Sequence, residues 1–193
     1  MLVGRRGPRL VLASMQSVVF FAIALLLVAC GGISPAPSSS AAPAQAVVSE
    51  GRFQLTFELP SATWKTGDSI TGLATLALTQ GDHADLTGAS GGLLAFEFAE
   101  VGGDRHTQPI WDAACAQHPL SPGKPMTSGI VKSGAYQGDA PPGDFNRQFI
   151  TDPLVRLPAG TWDITAIAMF DEGPTCSAPS HEMRATVRLT VTE

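Results

Sequence analysis

Basic side chains are scarce in this sequence, with 12 Lys and Arg against 17 Asp and Glu and a formal charge of -5. Three of the arginines, Arg5, Arg6 and Arg9, stand in the first nine residues. With residues 1–29 removed, as argued below, 12 less these three leaves 9 basic side chains against 17 acidic ones, a balance of -8. Nucleic-acid binding through a basic patch, which neutralises phosphates with clustered Lys and Arg, is disfavoured by that count. Cysteine is sparse as well, confined to Cys30, Cys115 and Cys176. No segment beyond the first thirty residues joins helical period to helical length, which argues against a helical domain. No catalytic constellation is evident, and no residue set calls for a cofactor or a metal.

What is present begins with a basic stretch and then an uncharged run over residues 10–29, densest in "VVFFAIALLLVA" at residues 18–29. This is the order of a signal peptide, a charged n-region before an apolar h-region. Twelve helical residues reach only about 18 Å at ~1.5 Å each, short of the ~30 Å of hydrocarbon that a spanning helix crosses. The longer version back to Leu10 is interrupted by Ser14, Gln16 and Ser17, so a retained membrane helix is the lesser alternative and an ordinary secretory signal another. The twin arginines of "GRRGPRL" fit a charged n-region better than a twin-arginine export signal.

Leu27-Val28-Ala29-Cys30, followed by Gly31-Gly32, resembles the lipobox of bacterial lipoproteins. That resemblance implies acylation of Cys30, cleavage before it, and anchoring to the outer side of a membrane through fatty chains, each buried methylene contributing about 0.8 kcal/mol. From there to residue 49 the composition is Pro, Ala, Ser and Gly with almost no large apolar group, which reads as a disordered tether. The expected layout is therefore a signal peptide at 1–29, a lipidated cysteine and tether at 30–49, and one folded domain at 50–193.

In that domain apolar residues alternate with period two, the pattern of strands with one buried face. Five segments carry it clearly: "RFQLTFEL", "ITGLATLALT", "LLAFEFAEV", "TWDITAIAMF" and "EMRATVRLTV". Weaker strands are expected at residues 110–111, 129–132, 145–150 and 154–157, with any helix limited to a turn near residues 113–117. Seven to nine short strands separated by "KTGDS", "LSPG", "DAPPGD" and "LPAG" predict an all-β, antiparallel immunoglobulin-like β-sandwich.

The order of an opening strand, "WKTGDSITGLATLAL", Trp111, "LSPGKP" and "LPAGTWDITAIAMF" resembles the bacterial intracellular proteinase inhibitor family and related Ig-like domains over residues 51–191. The resemblance implies a β-sandwich and, as an activity, protease inhibition. An exposed, stiff loop would carry it, and "HPLSPGKPM", with Pro122 and Gly123 at its centre, has that form because its prolines limit the entropy lost on docking.

Cys115 and Cys176 form an even pair in an exported chain and read as a disulfide pinning a long loop to one end of the sandwich, with reduced, metal-binding thiols as the alternative. Four histidines, His83, His106, His118 and His181, all fall in expected loops. His181 and Met183 share a face at i, i+2 and form a copper-type ligand pair, while plain packing explains them more simply. "GASGG" matches the G-x-S-x-G elbow, which requires a strand before it and a helix after it; here a polar loop precedes Ser90 and a strand follows, so Ser90 is read as a loop serine. Asp82, Asp85, Asp139 and Asp144 offer oxygen ligands for Ca²⁺ without the spacing of a known site. Of the tryptophans, Trp162 is in phase with the core, and Trp111 is the one placed to contact a partner. The expected function is a lipid-anchored, non-catalytic binding or structural module, its partner an envelope or extracellular protein or glycan; the alternatives are a protease inhibitor outside the cell and a copper-handling lipoprotein.

Overall fold

The computed structural model describes residues 43–175 and 179–193. Cys30, the signal peptide, the first part of the tether and Cys176 lie outside the described residues. The chain forms β1 (Ala44–Glu50), β2 (Phe53–Leu59), β3 (Thr63–Lys65), β4 (Leu73–Leu78), β5 (Ala84–Ala89) and β6 (Leu94–Glu100). It continues through β7 (His106–Thr107), β8 (Cys115–Leu120), β9 (Met126–Gly129), the helix α1 (Phe145–Thr151), β10 (Gly160–Glu172) and β11 (His181–Thr192).

Two sheets pack as a sandwich. One runs β1-β2-β4-β9; the other runs β3-β11-β10-β5-β8, with β6 beside β10 and β7 on the far edge of β6. The pairings are antiparallel apart from β3, which lies parallel to β11 through Thr63↔Thr190.

The alternation that defines the strands also defines the core. On β2, Phe53, Leu55, Phe57 and Leu59 are buried while Gln54, Thr56 and Glu58 face outward. Trp162, Ile164, Ala166, Ala168 and Phe170 line the facing side of β10, and Met183, Ala185, Val187, Leu189 and Val191 that of β11. Rings bridge the two sheets at Phe53–Phe170, with centroids 4.9 Å apart, and at Phe57–Phe96, 5.6 Å apart. Charged side chains are kept on the outer face of the larger sheet, where Arg188 forms a forked pair with Asp163 and Arg184 bonds Glu97.

Several sequence expectations are corrected. The domain starts before residue 50, because Ala44, Ala46 and Val48 turn inward along β1; their small size disguises a period-two strand as low complexity. Residues 115–120 are β8, not a helical turn, and the helix falls on a segment expected as strand. It forms there because Asp144 caps it, its carboxylate accepting from the Arg147 N–H at 2.8 Å. Phe145 and Phe149, one turn apart, then reach Trp162 and Phe98 with centroids at 5.4 and 4.8 Å. Residues 110–111 and 154–157 are not strands, though Val155 and Leu157 are buried in the connection. The expected strand at 129–132 is displaced to β9. Eleven strands are described where seven to nine are expected, and β3 and β7 are pieces too short to show a period.

Lys132 holds α1 in place. Its ammonium donates to the carbonyls of Phe149 at 2.5 Å, Leu154 at 2.7 Å and Asp152, and it lies over the Phe149 ring. These are acceptors that the end of the helix and its exit leave without intrahelical donors. Burial pushes the Lys132 ammonium below its ordinary pKa. Lys132→Met keeps the apolar stem and removes the donor, and is expected to lower unfolding stability by about 1–3 kcal/mol. Urea midpoints of the two proteins check this, and equal midpoints would leave the carbonyl tripod without a stabilising role.

Candidate functional site

Four connections meet at one end of the sandwich: residues 51–52, 79–83, 121–125 and, of the fourth, the described residues 173–175 and 179–180. The registers place them together, since Glu50 pairs Phe53, Phe53 pairs Leu78, Ala84 pairs Leu120 and Phe170 pairs His181. The chain enters the sandwich at the other end, where Ala44 pairs Leu59.

A single polar chain crosses these connections. His181 lies between two carboxylates, with Nδ1 2.7 Å from Glu50 and Nε2 3.3 Å from Glu172. Glu172 also accepts from Arg52 at 2.5 Å, and Arg52 donates to the His83 carbonyl at 3.0 Å. The His83 ring contacts Asp85 at 2.7 Å and the Ser121 hydroxyl at 3.4 Å. His181 is stacked on Phe170 at 4.9 Å with planes 20° apart, and Phe53 meets its ring edge-on. The polar chain is thus rooted in the aromatic core.

The Ser121 turn stands out from this base. Pro122 and Gly123 occupy its centre, Ser121 and Lys124 bridge, and the Lys124 N–H bonds the Ser121 carbonyl at 3.1 Å. Gly123 has φ 74° with open space where a Cβ would sit, so the backbone angle and not crowding selects glycine. Residues 122–125 are exposed. Lys124 has no ion-pair partner among the described residues.

Ser121, His83 and Asp85 align a hydroxyl, an imidazole and a carboxylate. The Ser121–His83 distance exceeds the ~2.6–3.2 Å at which a base takes a proton. The His83 and Asp85 side chains are 49% and 68% exposed, so water screens the group. The arrangement acts as a surface brace.

Trp111 and the Pro122–Gly123 turn are not brought together. They flank β8 at its two ends, and half-buried Trp111 is followed by Asp112, whose carboxylate accepts from Ser90. That hydroxyl, with the Ala114 N–H, holds the Asp112 carboxyl below its usual range. Ser90 therefore sits in a tight connection, preceded by strand β5 rather than by a loop and followed by β6 without a helix. His106, His118 and His181 lie in β7, β8 and β11, not in loops; His118 Nε2 contacts the Ala89 carbonyl at 3.0 Å. In the His181–Met183 pair both imidazole nitrogens face carboxylates and Met183 is buried in the core. Among the described residues no group of three or more His, Cys, Asp or Glu is placed to hold a metal. Asp144 caps α1, and Asp85 pairs His83.

Sequence reading missed Glu50, Arg52, Glu172 and His181 as a unit. The signal for it is faint, since Glu50, Glu172 and His181 sit at strand ends and Arg52 in a turn, and only the registers unite them.

The chain matches no family model, no curated protein and no solved structure.

His181→Phe retains a ring against Phe170 and removes both carboxylate contacts, leaving Glu50 and Glu172 without the ring nitrogens they face. A loss of about 1–3 kcal/mol is expected. Thermal unfolding checks it, with Glu50→Gln in the same background recovering part of the loss.

Proposed function

We propose that this chain is a lipid-anchored binding module whose four-connection end is its binding end. The observation that carries the reading is directional. β1 enters at one end and delivers Glu50 to the other, about 20 Å away at ~3.3 Å per residue, so the end at which the chain enters the sandwich is not the end that carries the braced turns. The lipobox-like Leu27-Val28-Ala29-Cys30 supplies the anchor, and the partner class is an envelope or extracellular protein or glycan. The role is non-catalytic, in keeping with the solvated Ser121–His83–Asp85 brace.

Protease inhibition through residues 119–126 is the weaker reading. The turn closes on itself by the Ser121–Lys124 bridge, whereas docking as an added strand needs an extended backbone. Full chain assayed against trypsin, subtilisin and papain at micromolar concentration is expected to leave all three active.

The anchor is tested by feeding cells an alkyne-tagged fatty acid. Wild type should be labelled and sediment with membranes, and Cys30→Ala should be unlabelled and released. An unlabelled wild type, or a Cys30→Ala protein that sediments unchanged, overturns the anchored reading.

A Cys115–Cys176 disulfide belongs to the same proposal. Thr175 accepts from the Thr87 hydroxyl at 3.3 Å, Thr87 pairs Gln117 of β8, and Pro179 lines one hollow with Cys115. Both flanks of residue 176 therefore lie beside the strand that Cys115 begins. Iodoacetamide should modify neither cysteine until reductant is added. Cys115→Ser should cost about 4 kcal/mol on the chain-entropy argument, less any strain relieved.

A further inference from the structure

Of the strands that end the two sheets, β1, β3, β7, β8 and β9, all but β1 are blunted. β3 spans three residues and carries Lys65, β7 spans two, and β9 four. β8 contains Pro119, which has no N–H to offer a further strand. The stretch of β11 that β3 does not reach holds Glu182, Arg184 and Arg188 on its outer face. Shortness, proline and charge are the devices by which sheets refuse an added strand. β1 has none of them before its final residue. It pairs with β2 over seven positions without a bulge, and its one charge, Glu50, comes last. Among the described residues no strand pairs with its other side.

That side presents a row of backbone N–H and C=O groups without a ladder, and such a row takes up a strand rather than a compact ligand. The side chains select which strand. Ala44, Ala46 and Val48 face the core yet stay half-buried at its margin. Gln45, Val47 and Ser49 point outward, and Val47, 50% exposed, stands at the middle of the seven residues.

We infer that β1 is a dimerisation edge, pairing antiparallel with β1 of a second copy about a two-fold axis at Val47. Such an interface must be self-complementary, and in this register it is. Val47 meets the partner's Val47, apolar on apolar at the centre, and Ala46 meets the partner's Val48. Gln45 meets the partner's Ser49. The Gln45 amide nitrogen is already bonded to Glu58 at 2.6 Å, which leaves its amide oxygen to accept from that hydroxyl. A Gln–Ser pair also spans β1 and β2 within one chain, where Gln54 donates to Ser49 at 3.5 Å. Glu50 falls opposite the partner's Ala44, about 20 Å along the ladder from the partner's Glu50 at ~3.3 Å per residue, so no like charges meet. Pro43 before the strand and the turn at residues 51–52 after it prevent its lengthening, so any other register shortens the ladder. The inference goes beyond the anchored-module reading, and neither Cys30 nor the braced turns take part in it.

Sedimentation velocity of the full chain in mild detergent is expected to show a concentration-dependent dimer. Val47→Lys sets like charges directly opposite each other and is expected to weaken the dimer tenfold or more. Leu73→Lys, exposed on the same sheet but away from the edge, is expected to leave it unchanged. Circular dichroism checks the folding of both. Independently, Val47→Cys should be joined to a second copy by a short bismaleimide, whereas wild type and Leu73→Cys should not. A wild-type chain that stays monomeric up to ~100 μM, far above the ~1 μM of a moderate complex, overturns the inference. So does a dimer that Val47→Lys retains, or one that Leu73→Lys abolishes equally. A monomer would leave the anchored module standing, and a wild-type chain that carries no lipid would leave the dimer standing.

Discussion

The contact between the inward face of β2 and the facing rows of β10 and β11 organises everything else in this molecule. Phe53, Leu55, Phe57 and Leu59 meet Trp162, Ile164 and Phe170 across the sandwich. Each fully buried large apolar side chain contributes roughly 1.5–3 kcal/mol. Because a strand alternates its faces, this single contact dictates which residues of every paired strand turn outward. A one-residue slip would put all of them on the wrong side. The outer polar ladders, the ends of the strands and the positions of the connections follow from that register.

The polar chain at the end of the sandwich depends on the same contact. Glu50 ends β1 and Arg52 lies in the tight turn into β2, while Glu172 and His181 close β10 and open β11. They meet because Phe53 and Phe170 meet beneath them. His181 belongs to both systems, with its ring stacked on Phe170 and its nitrogens on carboxylates. The loop at residues 133–144 is built differently. It has few buried apolar groups of its own and owes its shape to Arg147, Gln148 and the Lys132 tripod below it.

Most of the sandwich was legible in the sequence because five strands bury large side chains at every second position, and period two is visible wherever inner and outer residues differ strongly in polarity. β1 was hidden by alanines, which satisfy the inward pattern without announcing it. β5 and β8 were hidden by interruptions, Gly88 in one and Pro119 in the other. The helix was misread because "FNRQFI" fits either period, and only the cap at Asp144 and the aromatic contacts one turn apart decide between them. The candidate site was legible only in its glycine and proline. Pro122 and Gly123 announce a turn by backbone chemistry, whereas the charged residues around them acquire meaning only through tertiary register. Trp111 stands out by its type and by its place beside Cys115, and the structure separates it from the turn by the length of β8.

The strand that comes last, β11, is an interior member of the larger sheet, between β3 and β10. It pairs with β3 across more than a hundred residues of chain. A chain that emerges from its N-terminus can zip the β1–β2 hairpin at once, yet it cannot complete the larger sheet until β11 is available. Such long-range closure is slow. The same connectivity leaves the larger sheet divided until β11 docks between β3 and β10 and closes it.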